Sequence, residues 1–372
     1  MRDLNSLIIG GGIGGLTSAI ALRRDGHRVT VIEKDPDWSV YGVGIIQQAN
    51  VIRAMAQLGL VEDYVASGVP FDKVAVHMPD GTQVALIPIP PLVEGYPPSM
   101  GIGRPALHRI LGDRTIADGA EVRLGVTAES IDDRGDGVLV RFSDGSEGTY
   151  DLVIGADGVY SDTRKQVMPD ADGPVFTGQS VWRYNFPRPS DLDALHAYNG
   201  PTGAGLVPIN AELMYMFLTT PEPDKPRYGK NQLAASMREK VLNHTAPQIR
   251  ELAAQITVNE DVVYRPLEAM MLYGDWHSGR VVLLGDAVHA TTPHLGQGAG
   301  MAIEDSIVLA EEIAAHDTPE AAFAAYRERR VERCKYIVEK SLAICHGQLG
   351  KGPPVDNAKA TAEMFAVTAE PI

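Results

Sequence analysis

Near its start, from residue 7 to residue 35, the chain reads LIIGGGIGGLTSAIALRRDGHRVTVIEKD. Residues 7–9 are all apolar, without polar alternation, which is typical of a parallel strand buried on both faces. Glycines follow at positions 10, 12 and 15 in the pattern G-x-G-x-x-G, ahead of a helical pattern and a second strand that ends at Glu33. This order of strand, glycine turn, helix and strand predicts the beginning of a doubly wound α/β fold.

Each part of this turn has a separate task in binding a dinucleotide. Gly10 permits the tight turn, Gly12 lets the backbone approach a pyrophosphate, and Gly15 allows the helix to pack closely on the strand. Glu33 is placed to bind ribose hydroxyls, and it favours a ribose with a free 2′-OH because a 2′-phosphate would meet its negative charge. The stretch therefore predicts binding of FAD or NAD and does not choose between them.

Two further apolar strands end in glycine and acid, DLVIGADGVYSDTR at residues 151–164 and GRVVLLGD at residues 279–286. In an open α/β sheet, ligands bind beyond the carboxyl ends of the strands. Asp157, Gly158 and Asp286 are therefore expected near the same ligand as the first glycine turn.

The remaining segments predict a second domain inserted into the first. Residues 74–88 and 138–153 have Asp-Gly turns between strand patterns, which predict hairpins. Residues 174–272 contain strands rich in aromatic and β-branched residues with two helical patterns, which predict an antiparallel sheet covered on one side. We expect a nucleotide-binding domain of residues 1–72, 101–172 and 273–346, a substrate domain of residues 73–100 and 173–272, and a C-terminal tail of residues 347–372 that is loose or a lid.

Charge and composition exclude several classes of protein. The formal net charge is −15, and no run of Lys and Arg supplies the basic face that nucleic acid requires. No window reaches the roughly 18 apolar residues of a membrane span, and the N-terminus lacks the features of a secretory signal, so we expect a cytoplasmic protein. We also expect a monomer or a homodimer.

Neither cysteines nor histidines indicate a cross-link or a metal. Cys334 and Cys345 are 11 residues apart in one helical pattern. Helix geometry separates them by roughly 16 Å, which a disulfide cannot span. His77, His289 and His294 lack the spacing of metal ligands. No metal is expected.

The second glycine-rich segment is GDAVHATTPHLGQGAGMAIEDS, residues 285–306. Gly296, Gly298 and Gly300 occupy alternate positions just before a helical pattern, although glycine costs about 1 kcal/mol relative to alanine inside a helix. Backbone N–H groups at a helix start bind anions. We therefore expect bare backbone here to lie against a ligand, with all three glycines facing it.

Together these motifs resemble the class A, single-component FAD-dependent aromatic hydroxylases, which include p-hydroxybenzoate, salicylate and 6-hydroxynicotinate hydroxylases. The resemblance rests on GGGIGG with Glu33, GADGVYSDTR, LLGDAVHATTPHLGQG and, more loosely, GVGI at 42–45 and GRPALHRIL at 103–111. It implies a Rossmann-like FAD-binding domain of the GR2 type with a mostly parallel sheet, interrupted by a substrate domain with a largely antiparallel sheet and followed by a C-terminal helix.

The resemblance also implies which residues bind FAD. They are Gly10, Gly12, Gly14, Gly15, Glu33, Lys34, Gly44, Arg104, Asp157, Gly158, Gly285, Asp286, Gly296, Gly298, Ala299 and Gly300. Asp157 and Gly158 belong to a motif associated with both FAD and reduced nicotinamide. Relatives often carry Asn where this chain has Gly300, so a side-chain contact to the flavin edge is expected to be missing.

The implied reaction is hydroxylation of a small phenolic or N-heteroaromatic substrate. NADH or NADPH, as a transient co-substrate, reduces the flavin, and O₂ adds to form a C4a-hydroperoxide whose distal oxygen passes to the ring. Alternatives are an FAD-dependent oxidoreductase or monooxygenase on a non-aromatic substrate, and a flavin-containing ligand-binding protein that does not hydroxylate.

Catalytic and substrate-binding candidates follow from position. Tyr215, in LMYMFL, is the best single candidate for the acid-base residue, with core packing as the alternative. Pro293 and His294 are further catalytic candidates beside the flavin motif. Arg183 could bind a substrate carboxylate, the nicotinamide cofactor or a structural acid. Gln47 is a candidate for a polar ring substituent, with surface placement as its alternative.

Overall fold

The computed structural model describes residue 1 and residues 3–372 of the chain. Its strands are β1 (Asn5–Ile9), β2 (Arg28–Glu33), β3 (Gly44–Gln47), β4 (Val69–Phe71), β5 (Lys73–His77), β6 (Gln83–Pro88), β7 (Ser99–Gly103), β8 (Glu121–Leu124), β9 (Ala128–Asp133), β10 (Val138–Phe142), β11 (Glu147–Tyr150), β12 (Leu152–Gly155), β13 (Val175–Pro187), β14 (Leu195–Tyr198), β15 (Ala204–Pro208), β16 (Leu213–Pro221), β17 (Val263–Ala269), β18 (His277–Ser278) and β19 (Val281–Leu283). Its helices are α1 (Ile13–Arg24), α2 (Ala49–Gln57), α3 (Val61–Ala66), α4 (Arg104–Ala117), α5 (Asp162–Val167), α6 (Leu233–Leu242), α7 (Pro247–Arg250), α8 (Asp286–His289), α9 (Gly298–Ala315), α10 (Pro319–Gln348) and α11 (Asn357–Ala369).

A six-stranded sheet in the order β18-β19-β12-β1-β2-β8 forms the centre of the first layer. All of its pairs are parallel except β18 with β19. The three strands that the sequence placed beside a ligand, β1, β12 and β19, are neighbours, so their carboxyl ends meet at one edge. The predicted α/β class with a mostly parallel sheet is confirmed.

Both faces of this sheet are buried, which explains the unbroken apolar run of β1. Ile8 on one face packs into a core with residues of α1, α9 and α10. Leu7 and Ile9 on the other face pack against the three-stranded antiparallel sheet β11-β10-β9. The sequence indicated the β10–β11 hairpin, with its turn at Asp144, but no sequence pattern indicated that this hairpin covers the parallel sheet.

The second large sheet has seven strands in the order β17-β13-β16-β15-β14-β5-β6, and all of its pairs except β14 with β5 are antiparallel. Trp182 and Met216 lie on the face covered by α6 and α7. Tyr215, Leu213 and Phe217 lie in the core of the opposite face, as strand alternation requires. That opposite face turns Tyr215 and Phe217 toward a large cavity beside the parallel sheet.

The C-terminal segment ends in a helix rather than in the loose tail expected from its glycines and prolines. Asp356 caps the start of α11 by accepting a hydrogen bond from the Lys359 backbone N–H at 3.0 Å. At the other end, Arg53 of α2 donates to the carbonyl oxygens of Thr368 and Ala369. Cations at a helix C-terminus stabilise it, so α11 is fixed against α2.

Two expectations from composition can be compared with the structure. Cys334 and Cys345 are both buried and free, as helix geometry required. Within the described part of the chain, no helix combines the length and the apolar character needed to cross a membrane.

Candidate active site

A large cavity, with a volume of about 680 Å³, lies between the two large sheets. It is built from the carboxyl ends of the parallel strands, from the start of α9, and from one face of the antiparallel sheet. The sequence-predicted residues that line it are Gly12, Gly14, Gly44, Arg104, Gly158, Arg183, Tyr215, Gly285, Asp286, Pro293, Gly296, Gly298 and Ala299. The fold therefore brings together motifs that lie almost 300 residues apart.

The glycines of the first turn have two different roles, close packing and access for a ligand. Gly10 has a φ of 110°, and a Cβ there would lie 2.5 Å from the Ala156 carbonyl oxygen. A Cβ on Gly15 would overlap the carbonyl of Gly10. Gly12, by contrast, has open space around it and lines the cavity together with Gly14. Gly10 and Gly15 thus close the turn, while Gly12 and Gly14 present backbone to a ligand.

The acid at the end of β2 is held at the edge of this turn. Glu33 accepts hydrogen bonds from the backbone N–H groups of Gly11 and Asp35, each at 2.9 Å. Lys34 is exposed and does not line the cavity. Glu33 does not line the cavity either, and each of its carboxylate oxygens accepts a hydrogen bond from the backbone.

Asp157 uses its carboxylate within its own loop. It accepts hydrogen bonds from the Ser161 hydroxyl and from the Thr163 backbone N–H (2.9 Å) and hydroxyl (3.0 Å), while its neighbour Gly158 lines the cavity. These bonds give Asp157 a role in shaping the loop.

Three alternate glycines at the start of α9 serve three different purposes. Gly296 has the left-handed φ of 67° that glycine tolerates best. Gly298 lines the cavity, and the nearest atom to a Cβ there would be 3.5 Å away. Gly300 is buried and does not line the cavity. A Cβ built on it would point toward α2. The expectation that Gly300 faces the ligand is therefore corrected.

The cavity is lined by two cationic side chains and a phenol: Arg183 and Tyr215 come from the antiparallel sheet, and Arg104 comes from the start of α4. Arg183 and Arg104 have no carboxylate within 4 Å among residue 1 and residues 3–372, and Tyr215 has no hydrogen-bond partner there. Burial and the neighbouring Arg104 lower the pKa of Arg183 to about 10, which leaves it charged. Burial raises the pKa of Tyr215 to about 12 despite both arginines, so its hydroxyl is protonated. The site offers cationic and neutral donors to an oxygen.

A second cavity of about 80 Å³ adjoins the first and shares Phe217 and Pro293 with it. Its polar lining side chains are all neutral at pH 7: Tyr198, Asn199, Thr219, His294, Gln348, Asn357 and Thr361. His294 is bonded at both ring nitrogens, to the Thr292 hydroxyl at 2.9 Å and to Gln348 Oε1 at 3.0 Å. Burial lowers the pKa of His294 to about 4, so its imidazole is uncharged at pH 7.

Gln47, the candidate for binding a polar ring substituent, is not among the residues that line the two cavities. It is buried rather than at the surface, it lines neither cavity, and its Nε2 donates to the Ile46 carbonyl at 2.7 Å. Its Oε1 has no partner within the described residues. The structure gives no contact between Gln47 and a ligand in either cavity.

Sequence reasoning missed several residues that shape the site. His108 lines the cavity and hydrogen-bonds the Gly11 carbonyl at 3.1 Å, and Trp38 Nε1 donates to the same oxygen at 2.9 Å. Asn50 lies beside Gly300. His108 lies within the GRPALHRIL motif at 103–111, which was the available signal, whereas Trp38 and Asn50 lie outside the motifs.

The residues present fit FAD. The cavity volume is within the usual range for ligand sites, about 300–1,000 Å³. The starts of α1 and α9 both lack an acidic residue and a side-chain cap, which leaves backbone donors for negatively charged groups. Gly12, which has open space around it, offers room for a diphosphate.

Comparison with known proteins gives an independent result. The sequence matches the FAD binding domain family over residues 3–341. It is 33% identical over 360 residues to the aurachin C monooxygenase/isomerase of Stigmatella aurantiaca, covering 94% of this chain and 90% of that protein. It is 29% identical over 354 residues to the 6-hydroxynicotinate 3-monooxygenase of Pseudomonas fluorescens, covering 89% and 88%. HpxO of Klebsiella pneumoniae, crystallised with FAD and uric acid, matches with a TM-score of 0.83 and 26% identity, covering 98% and 92%.

Proposed function

This chain belongs to the FAD binding domain family and is an FAD-dependent monooxygenase, and from that premise we propose that it hydroxylates a small phenolic or N-heteroaromatic compound. NADH or NADPH supplies the electrons and O₂ supplies the oxygen atom. The observation that carries the substrate proposal is the buried Arg183 guanidinium, which lines the cavity and pairs with no carboxylate among the described residues.

FAD binding is assigned to the parallel-sheet side of the large cavity. When bound, FAD supplies electron transfer from the nicotinamide and the activation of O₂. Glu33 orients the adenosine ribose, and the backbone at Gly12 and Gly14 receives the diphosphate. The further FAD-contacting positions that we propose are Gly44, Arg104, Gly158, Gly285, Asp286, Gly296, Gly298 and Ala299.

On the opposite side of the cavity, Arg183 and Tyr215 are proposed to bind the substrate oxygen. A phenolate or carboxylate would gain a charge-assisted hydrogen bond from the Arg183 guanidinium. Tyr215 would donate its hydroxyl proton to the same group, because its raised pKa keeps it neutral. Both side chains come from one sheet face, which fixes their relative positions. An electron-rich ring would thus be held by its oxygen on the antiparallel-sheet side of the cavity.

Pro293 and His294 are proposed to form the wall between the two cavities. Pro293 has no backbone N–H and so presents no donor there. His294 is a weak base because burial lowers its pKa to about 4. Its contribution is to exclude water and to present a neutral polar surface. Water exclusion matters because it suppresses unproductive release of peroxide.

The test is to follow NADH and NADPH consumption in air by the FAD-loaded protein, with a panel of phenols and hydroxypyridines. Product mass and hydrogen peroxide are measured in the same reactions. Consumption stimulated by one compound, with a product heavier by one oxygen atom, is the expected result. If no aromatic compound stimulates consumption or gains oxygen, the substrate proposal is wrong. The panel also decides between NADH and NADPH.

The oligomeric state that we propose is a monomer or a homodimer. Light scattering after size exclusion would measure the mass directly, and a mass above that of a dimer would contradict the proposal.

A further inference from the structure

The absence of a side chain at Gly300 makes room for a partner helix. A Cβ on Gly300 would lie 2.7 Å from Gln297 Oε1, 3.1 Å from Val51 Cγ2 and 3.3 Å from Asn50 Nδ2. Real Cβ atoms essentially never approach as closely as the first of these distances. Gly300 therefore allows α2 to approach the start of α9 while two amide side chains fill the space between them.

We infer that three amides, Gln48, Asn50 and Gln297, position the backbone of α9 that faces the flavin, and that Gly300 is required because it accommodates them. We call these three residues the amide cluster. This inference rests on the proposed function, since it assumes that FAD occupies the large cavity. It gives Asn50 and Gln297 a positioning role that no motif indicated.

The three side chains of the amide cluster are linked to one another by hydrogen bonds. Asn50 Nδ2 donates to Gln297 Oε1 at 3.0 Å, and Gln297 Nε2 donates to Asn50 Oδ1 at 3.1 Å and to Gln48 Oε1. Gln48 Nε2 donates to the Leu295 carbonyl at 3.1 Å. Asn50 and Gln297 are each 1% exposed. Buried amides are costly unless they are paired, so each member depends on the others.

One end of the network is anchored in a buried ion cluster. Asn50 Nδ2 also donates to Glu304 Oε1 at 3.1 Å. Glu304 is held by Arg330 at 2.8 Å, by Arg333 at 3.2 Å and by Arg53 at 3.5 Å. These ion pairs fix the carboxylate, so Asn50 has a rigid acceptor. The amide cluster is therefore set by the helices behind it, independently of any ligand.

The other end of the network reaches the cavity. Gln48 binds the carbonyl of Leu295, directly before Gly296, and Gln297 immediately precedes the first residue of α9. Gly296, Gly298 and Ala299 line the cavity. A shift of the amide cluster would therefore move the backbone N–H groups that are proposed to face the flavin ring. Both the affinity for FAD and its reduction potential depend on such donors.

A double-mutant cycle on the purified protein tests this inference. The variants are Asn50→Ala, Gly300→Ala and the combination of both. The measurements are the FAD dissociation constant by flavin fluorescence and the reduction potential of bound FAD. Each single change is expected to weaken FAD binding by about tenfold, the cost of one lost buried hydrogen bond, and to shift the potential. The double variant is expected to bind FAD no more than about tenfold more weakly than the wild type. Without the Asn50 amide, which donates to Gln297 Oε1, that oxygen can move away from the methyl group added at position 300.

Val51→Ala is the matched control, because Val51 is buried on the same helix and contacts the same space without forming a hydrogen bond to Gln297. It is expected to lower the melting temperature while leaving the potential of bound FAD unchanged. The inference is overturned if Asn50→Ala keeps the wild-type reduction potential and FAD affinity. It is also overturned if the double variant binds FAD about a hundredfold more weakly, since the two effects would then simply add. If the wild-type protein itself binds no FAD, the proposed function fails instead.

Discussion

The ring of Tyr215, together with the side chain of Ile209, fills the space that a side chain at Gly44 would occupy. Both residues line the large cavity. The glycine therefore fixes where the phenol lies relative to Arg104 and Arg183, and one side of the proposed substrate site depends on it.

Replacing Gly44 with alanine is expected to displace Tyr215 and destabilise the fold by about 1–3 kcal/mol, the usual cost of overpacking. Urea unfolding measures the change. Gly42→Ala is the control, because no atom lies within 4 Å of a Cβ built there. Equal losses in the two variants would show that the Tyr215 contact is not the cause.

Tyr215→Phe is expected to lower kcat/KM by about 100-fold, if the hydroxyl acts as a donor to the substrate oxygen. Stability should change little, because the described structure gives this hydroxyl no protein partner. Steady-state kinetics with the compound identified by the panel measures the effect. Unchanged kinetics would favour the alternative that Tyr215 is only a packing residue.

Arg183→Met is expected to raise the KM for an anionic aromatic substrate by about 10- to 100-fold, since a hydrogen bond to a charged group contributes about 1.5–3 kcal/mol. The dissociation constant of FAD should remain the same. The alternative that Arg183 binds the nicotinamide predicts instead a higher KM for NADH or NADPH. Measuring both KM values separates the two roles, and a change in neither would exclude both.

The burial of His294 predicts a pH dependence of stability. Its pKa is about 4 in the folded protein, against roughly 6.5 in an unfolded chain. Between these values the unfolded state binds more protons, so the free energy of unfolding should rise from about pH 4 to about pH 6.5. The contribution is at most about 3 kcal/mol. His294→Gln should remove this part of the slope in urea titrations at several pH values, and an unaltered slope would contradict the assignment.

Arg330→Met is expected to cost about 3–5 kcal/mol of stability, because it leaves buried carboxylates without their partner. Arg330 is fully buried and contacts Glu304 and Asp305, each at 2.8 Å. The control is Arg141→Met, whose pair with Glu147 is largely exposed and should contribute less than about 1 kcal/mol. Thermal or urea unfolding of both variants measures this difference in stability. Similar losses of stability in the two variants would contradict the prediction.

Much of the cavity lining beside the parallel sheet could be predicted from sequence, because its motifs are local. A glycine turn, the strand before it and the helix after it lie within about 30 residues and obey fixed periodicities. Positions such as Gly12, Gly14 and Gly285 were therefore found without coordinates. Gln47 and Gly300 were harder, since a motif gives the position of a residue along the chain but not the direction in which its side chain points.

The amino-acid sequence by itself determined the β1–α1–β2 unit, the order of the ligand-facing strand ends and the family resemblance, because each depends on short-range spacing and backbone sterics. Only the tertiary structure decided that Gly300 faces α2, that Asn50 pairs with Gln297 across 247 residues, and that Arg183 and Arg104 share one cavity. Such contacts arise when separate elements pack against each other. Their distances depend on how whole helices and sheets fill space, and a single sequence has no periodicity that records this.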